Sequence, residues 1–186
     1  MTPIVWRRAG PSDAPTLSAL GGATFLTTFA HDHPGDGLMA HIANNHSVAY
    51  YDAALADPAG ITIIGETPMG APVGYAMLTP NALPVAGQAG DYEIKRFYLL
   101  GPWQGGENGN ALMVECLRAV EERGTRRLLL AVYPQNARAR RFYERHGFAH
   151  IGTTTFMVGD TAFEDLIYAR PMKADAAVQA SASASV

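Results

Sequence analysis

The run from Asp91 to Leu100 is the most strand-like stretch of the chain, and Gly101-Pro102 stops it abruptly. A glycine-rich segment, Trp103-Gln104-Gly105-Gly106-Glu107-Asn108-Gly109-Asn110, follows at once. From Gly109 to Arg123 the apolar residues Ala111, Leu112, Val114, Cys116, Leu117 and Val120 recur at helical spacing, and Gly124 stands at the exit. A strand, tight turn and helix in this order cannot close a core alone and demand further strands with helices packed over them. The turn also carries chemistry. Glycines let backbone N–H groups approach a phosphate, and the start of the helix adds unpaired donors and partial positive charge. No Lys-Ser/Thr pair completes a nucleotide-binding loop, and no dinucleotide fingerprint opens the chain.

The flanking segments supply the missing layers. Thr2 to Ala9 reads as a first strand, ended by Gly10-Pro11, and Ser12-Asp13 is expected to cap a helix from Ala14 to about Ala30, with Gly21-Gly22 as a potential kink. His31 to Gly37 reads as a loop, Leu38 to Asn44 and Ser47 to Ala56 as short helices, and Ile61 to Gly65 with Val73 to Leu78 as an antiparallel hairpin. Thr79 to Gly90 is a polar, Pro/Gly-rich loop. Arg127 to Tyr133 is a strand, Asn136 to His146 a helix closed by Gly147, and His150 to Val158 and Phe163 to Ala169 a last strand pair around Gly159-Asp160. The order predicts an α/β sandwich of mixed sheet direction. Residues 1–172 are expected to form one domain, and the Ala/Ser-rich tail from Lys173 to Val186 to be disordered.

A second segment sharpens the reading. In Asn136-Ala137-Arg138-Ala139-Arg140-Arg141-Phe142-Tyr143-Glu144-Arg145-His146-Gly147-Phe148, Asn136 is placed to cap a helix that Gly147 ends. The Q-x-x-G-x-G-like turn followed by N-x-x-A-x-x-x-Y-x-x-x-G-F resembles the motifs of the GNAT superfamily of acyl-CoA N-acyltransferases. With the strand pattern, the likeness extends over nearly all of Thr2 to Met172, and it implies an α/β (α+β mixed) fold with a central mixed, mostly antiparallel sheet of about seven strands flanked by helices on both faces. Phe29-Ala30-His31 through Pro34, with Val158-Gly159-Asp160, is similar to the branch that includes PaiA-type polyamine acetyltransferases.

The resemblance implies acetyl-CoA as co-substrate and a small-molecule amine as acceptor. Backbone groups of Phe97, Tyr98 and Leu99 would then run along the pantetheine arm, with the Phe97 N–H toward the thioester carbonyl, where amine attack develops negative charge. Gln104, Gly105, Gly106, Glu107, Asn108, Gly109 and Asn110 would hold the pyrophosphate, Asn136 would contact the cofactor, and Tyr143 would protonate the departing thiolate. The amine must also lose a proton. Glu93, eleven residues before Gln104, matches the offset of the catalytic carboxylate in the histone acetyltransferase branch and is the expected general base; paired with Lys95 or Arg96 it would be structural instead. His31 and His33, in a loop expected beside the acceptor, are the alternative bases or acceptor contacts. Asp32, Asp36, Asp160, Glu164 and Asp165 are further acids able to attract a cationic amine.

One residue departs from the motif. Glu107 stands where the first glycine of Q-x-x-G-x-G belongs, a place that favours a residue without a side chain and where a carboxylate repels phosphate. It opens an alternative: a degenerate member of the fold with impaired acetyl-CoA binding that serves as a ligand- or partner-binding module. Third stands an unrelated α/β interaction domain. The rest of the composition narrows the class. A net charge of -3 without basic blocks gives no footprint for nucleic acid. Met1 to Gly10 leads into no apolar run, so neither membrane span nor signal peptide is expected. One cysteine, Cys116, on an apolar helix face, makes no internal disulfide and reads as packing in a cytoplasmic protein rather than as a nucleophile. His31, His33, His41 and His46 lack the spacing of a compact zinc site, so no metal is expected. A homodimer is common in the family, but no sequence feature marks an interface.

Overall fold

The computed structural model describes residues 3–86, 89–158 and 161–172. The Ala/Ser tail, Gly159-Asp160 and Thr2, the first residue of the expected opening strand, lie outside the described residues. Seven strands form one sheet, β1 (Val5–Arg8), β2 (Ile61–Glu66), β3 (Pro72–Pro80), β4 (Tyr92–Leu99), β5 (Arg127–Val132), β6 (Ala149–Val158) and β7 (Thr161–Pro171), in the order β1-β2-β3-β4-β5-β7-β6. All neighbours are antiparallel except β4 and β5. Helices α1 (Ala14–Phe29), α2 (Gly35–Asn45), α3 (Val48–Ala56), α4 (Asn108–Glu121) and α5 (Ala137–Arg145) cover both faces. The expected fold class is the observed one.

The two faces are built from the alternation of each strand. Ile61, Ile63, Ala76, Leu78, Leu128 and Leu130 turn toward α4 and α5, where Leu112, Met113, Cys116, Val120 and Tyr143 meet them. Ile64, Tyr75 and Met77 turn the other way, onto Ala14, Leu17 and Leu20 of α1 and Tyr51 of α3. Phe25 and Leu38 pack with Val158, tying α1 and α2 to the β6 end of the sheet. The loop after β3 is not idle, since Leu83 and Val85 cover Leu129, Ile167 and Ala169.

Three local expectations are corrected. Asp13 does not cap α1 with its side chain; its carboxylate accepts from the Gly10 N–H and from Arg7 at 2.8 Å each, holding β1 to the turn before the helix. Gly21-Gly22 does not interrupt α1. A Cβ on Gly21 would lie 2.2 Å from the Tyr51 hydroxyl and 2.4 Å from His46 Nδ1, so glycine is there for close packing against a buried polar cluster. Third, α2 begins at Gly35, inside the expected loop.

Strand β4 does two things that create the site. Its pairing skips Lys95, because Met77 faces Arg96 while Leu78 faces Ile94, which makes Lys95 an extra, bulged residue. Its pairing with β5 covers only Tyr92, Glu93 and Ile94, opposite Leu128, Leu129 and Leu130. Beyond Ile94 the two parallel strands splay, and the sheet opens into a cleft.

Candidate active site

The cleft holds about 810 Å³ and is lined along one wall by Glu93 through Leu99 and along the other by Ala131, Val132, Tyr133 and α5. That volume lies in the range of small-molecule and cofactor sites. The register fixes which backbone groups face it. The Leu100 N–H donates to the Val73 carbonyl at 2.9 Å, so Leu100 and Val73 are a hydrogen-bonded pair. Counting back along the register, Tyr98 spends its backbone groups on Tyr75, whereas Phe97 and Leu99 turn theirs away from β3, toward the opening. Of the three backbone positions named from the sequence, Phe97 and Leu99 therefore present polar groups to the cleft, and Tyr98 presents its side chain.

At the end of β4 the glycine turn closes the cleft. Gly105 and Gly106 carry the left-handed φ angles of 96° and 53°, which a side chain would resist. Among the described residues, the consecutive backbone N–H groups from Gly105 to Asn110 make no well-formed hydrogen bond to the protein, and the helical ladder starts with the Ala111 N–H to the Glu107 carbonyl at 2.8 Å. Side chains hold the turn in place: Gln104 Nε2 donates to the Leu99 carbonyl at 2.9 Å, and Asn108 Nδ2 to the Trp103 carbonyl at 3.0 Å. Arg138, on the first turn of α5, donates to Gln104 Oε1 at 3.2 Å, and its guanidinium would lie 3.6 Å from a Cβ on Gly105. A row of free amides beside a cation is a receptor for an oxyanion such as a pyrophosphate.

The conformational part of the objection attached to Glu107 does not apply. Glu107 has φ -91° and ψ -7°, ordinary for any residue, because Gly105 and Gly106 make the turn. Its carboxylate is exposed and accepts from Asn110 Nδ2 at 3.1 Å, and neither it nor Asn108 lines the cleft. Asn110 in turn meets His146 Nε2 at 3.0 Å, so the acid anchors the start of α4 to α5.

Residues 26–148 match the sequence model of the Acetyltransferase (GNAT) family. The chain belongs to that family. An uncharacterised N-acetyltransferase of Mycobacterium tuberculosis is 31% identical over 161 residues, covering 87% of this chain and 99% of the relative, and one from Mycobacterium bovis matches equally. The crystal structure of the PaiA N-acetyltransferase from Thermoplasma acidophilum in complex with coenzyme A has a TM-score of 0.75 at 18% identity, over 91% of this chain and 99% of that one. YncA of Salmonella typhimurium, described as a putative acetyltransferase with its cofactor acetyl-CoA, has a TM-score of 0.67 at 18% identity, over 91% and 94%. At that identity the two structures share the fold.

Within the GNAT cleft, Tyr143 is buried among Phe97, Phe142 and Phe148, and burial pushes its hydroxyl far above the usual phenol range. The hydroxyl has no hydrogen-bond partner among the described residues, and Tyr143 lines the opening. Asn136 caps α5, its Oδ1 accepting from the Ala139 N–H at 3.0 Å, which leaves its amide nitrogen free beside the cleft. Glu93 is 6% exposed and lines the cleft. It pairs with neither Lys95 nor Arg96; its carboxylate accepts from the Ala82 N–H at 3.0 Å and, more loosely, from the Thr79 hydroxyl at 3.4 Å.

The loop histidines part company. His31 is exposed, with 72% of its side chain accessible, and borders a smaller adjoining pocket with Tyr133 and Gln135. His33 is buried, stacks on Phe163 with ring centres 4.0 Å apart, bonds Asp32 and lines the main cleft. His41 and His46 sit deeper, and burial, with Arg96 nearby, holds them down to about 4 and about 3, so both are neutral at physiological pH. No three His, Cys, Asp or Glu among the described residues come together as metal ligands. Burial likewise drives the Cys116 thiol far up, which leaves it inert. Among the described residues no helix is long and apolar enough to cross a membrane.

Of the scattered acids, Asp32, Asp36 and Glu164 lie at the surface, Asp160 lies outside the described residues, and Asp165 alone lines the cleft. Asp165 is 9% exposed, and burial raises its carboxyl to about 6, with His33 pulling the other way. The sign follows. A carboxyl whose folded pKa exceeds its unfolded value destabilises the fold once ionised, a cost that is full above about pH 6 and gone below the ordinary value of 3.8. Solvent in the cleft screens the charge, which leaves a cost of about 1 kcal/mol, so Asp165→Asn is expected to raise the thermal midpoint by about 2–4 °C at pH 8. The gain should vanish at pH 4; melting curves at the two pH values check it, and an equal gain at both would mean that charge is not its cause.

Proposed function

We propose that this GNAT acetyltransferase moves an acetyl group from acetyl-CoA directly to a primary amine of a small molecule. The observation that carries the reading is the combination, in one cleft, of free amides at the glycine turn with the Phe97 backbone and the Leu99 N–H, which the register turns away from β3 on the splayed strand. The turn and Arg138 would hold the pyrophosphate, Leu99 and the Asn136 amide would take the pantetheine arm, and the Phe97 N–H would meet the thioester oxygen.

The roles follow from position. As the amine nitrogen bonds to the acyl carbon, the Phe97 N–H stabilises charge developing on the carbonyl oxygen. Glu93 takes the proton that the amine gives up, directly or through one water. The carbon–sulfur bond breaks, and Tyr143, which burial keeps protonated, donates its proton to the thiolate. Asp165 is the second carboxylate able to receive the ammonium. Against the degenerate alternative stands the unstrained backbone of Glu107, whose exposed carboxylate is held by Asn110 Nδ2.

Isothermal titration of acetyl-CoA into the protein and into Glu107→Gly, with release of free coenzyme A followed in the presence of amines, tests the proposal. Both forms are expected to bind with micromolar Kd, within about threefold of each other, since an exposed charge in high dielectric contributes little. Binding by the glycine form alone would revive the degenerate reading; binding by neither would remove acetyl-CoA from the function.

A further inference from the structure

Among the described residues, Arg96 is a buried charge with no carboxylate partner. Its residue is 9% exposed, it lines the cleft, and no carboxylate among the described residues pairs with it. Its single hydrogen bond runs from Nη1 to the neighbouring Lys95 carbonyl at 3.2 Å, while Nε is buried without any partner. Around it stand neutral groups: the Tyr50 ring at 5.8 Å from Cζ, the phenols of Tyr51, Tyr75 and Tyr98, and the neutral histidines His41 and His46. A guanidinium taken out of water without a counter-charge is costly, and its fork of donors matches a carboxylate in two parallel hydrogen bonds.

Its place on the strand points to the acceptor rather than to the acyl donor. The bulge at Lys95 turns Arg96 and Tyr98 to the α1 and α3 side of the sheet, whereas Phe97 packs with the α4 and α5 core. Arg96 therefore adjoins the residue whose N–H faces the thioester, and sits well before the Gly105–Asn110 amides that suit the pyrophosphate. The other pole is Asp165, a buried carboxylate in the same cleft with no hydrogen bond among the described residues. Tyr98 lies within electrostatic reach of both. The two charges are not paired with each other.

We propose that Arg96 is the receptor for a carboxylate on the acceptor, so that the substrate is an amino-carboxylate whose ammonium end lies toward Asp165 and Glu93. This deepens, and rests on, the acetyl-transfer reading. It also runs against a polyamine: a polycation gains nothing from a buried guanidinium and is repelled by it. Phe29, Phe156 and Phe163, which line the same half of the cleft, suit an acceptor with an apolar side chain.

The test compares matched acceptors in a coenzyme A release assay with the intact chain: phenylalanine, phenylalaninamide and phenethylamine, the same set for leucine and methionine, and spermidine. At least one free amino acid is expected to exceed its amide and its decarboxylated amine by about 10- to 100-fold in kcat/KM, the loss typical of leaving a charged donor unpaired. In Arg96→Gln that preference should fall below about threefold, mainly through the KM of the acid. Arg96→Lys, which keeps charge but not the fork, should fall between. The comparison in the unaltered protein needs no variant to fold.

Equal use of acid and amide, or a lead for spermidine, overturns the carboxylate site and leaves acetyl transfer standing. Acetyl-CoA titrated into the same preparations tells the two failures apart, because absence of binding there removes the acetyl-transfer reading itself and the proposal with it.

Discussion

Replacing Tyr143 with Phe is expected to lower kcat by about 100-fold while leaving acetyl-CoA affinity within about threefold. The reason is the position of one oxygen. The ring is fixed by Phe97, Phe142 and Phe148, so Phe refills the same space and the core of α5 is undisturbed. The hydroxyl has no protein partner among the described residues, so its loss strands no donor or acceptor. What disappears is the proton available to the leaving thiolate. Because burial holds that hydroxyl far above its ordinary value, the unaltered enzyme should show no loss of rate on the basic side up to pH 9 from this group. Stopped-flow or steady-state release of coenzyme A, with a parallel binding titration, reads both quantities. An unchanged kcat would mean that water protonates the thiolate and that Tyr143 is a packing residue.

What the sequence disclosed and what it hid divide along a physical line. Strand ends, helix caps and the glycine turn are local: Gly147 and Gly124 take the left-handed conformation after α5 and α4, and Ser47 and Asn136 accept from the backbone N–H groups their helices leave free. These follow from a few adjacent residues, and so does the motif that carries the family. Arg96 did not show itself, because its significance lies in which groups are not beside it. A regular strand would place Ile94, Arg96 and Tyr98 on one face. The bulge at Lys95 instead leaves Ile94 with the α4 core and sends Arg96 to the acceptor side, and no residue type at Lys95 announces this. Asp165 was visible only as one acid among several, and its distinction is burial in the cleft. Glu107 misled for a related reason: motif position suggested a glycine conformation, while the left-handed residues are the two before it.

The second large effect concerns the base, where two carboxylates compete. Glu93→Gln is expected to reduce kcat/KM about 100- to 1,000-fold at pH 7, with the deficit shrinking as pH rises. The Ala82 N–H and the Thr79 hydroxyl orient Glu93 on the strand that carries the Phe97 N–H, two residues before the bulge at Lys95. Gln keeps the shape and an acceptor oxygen but cannot take a proton. An acceptor amine with a pKa near that of lysine is almost wholly protonated at pH 7, and its free fraction grows about tenfold per pH unit up to that pKa. A variant lacking the base should therefore recover about tenfold per unit between pH 7 and 9, a slope that a merely misfolded or loosened site would not produce. Asp165→Asn separates the roles of the two acids. If Asp165 only attracts the ammonium, its loss raises the acceptor KM and leaves the pH slope of the unaltered enzyme intact. Should the steep slope belong to Asp165→Asn and not to Glu93→Gln, the proton acceptor is the carboxylate on β7, and Glu93 is the residue that ties the loop after β3 to the floor of the cleft.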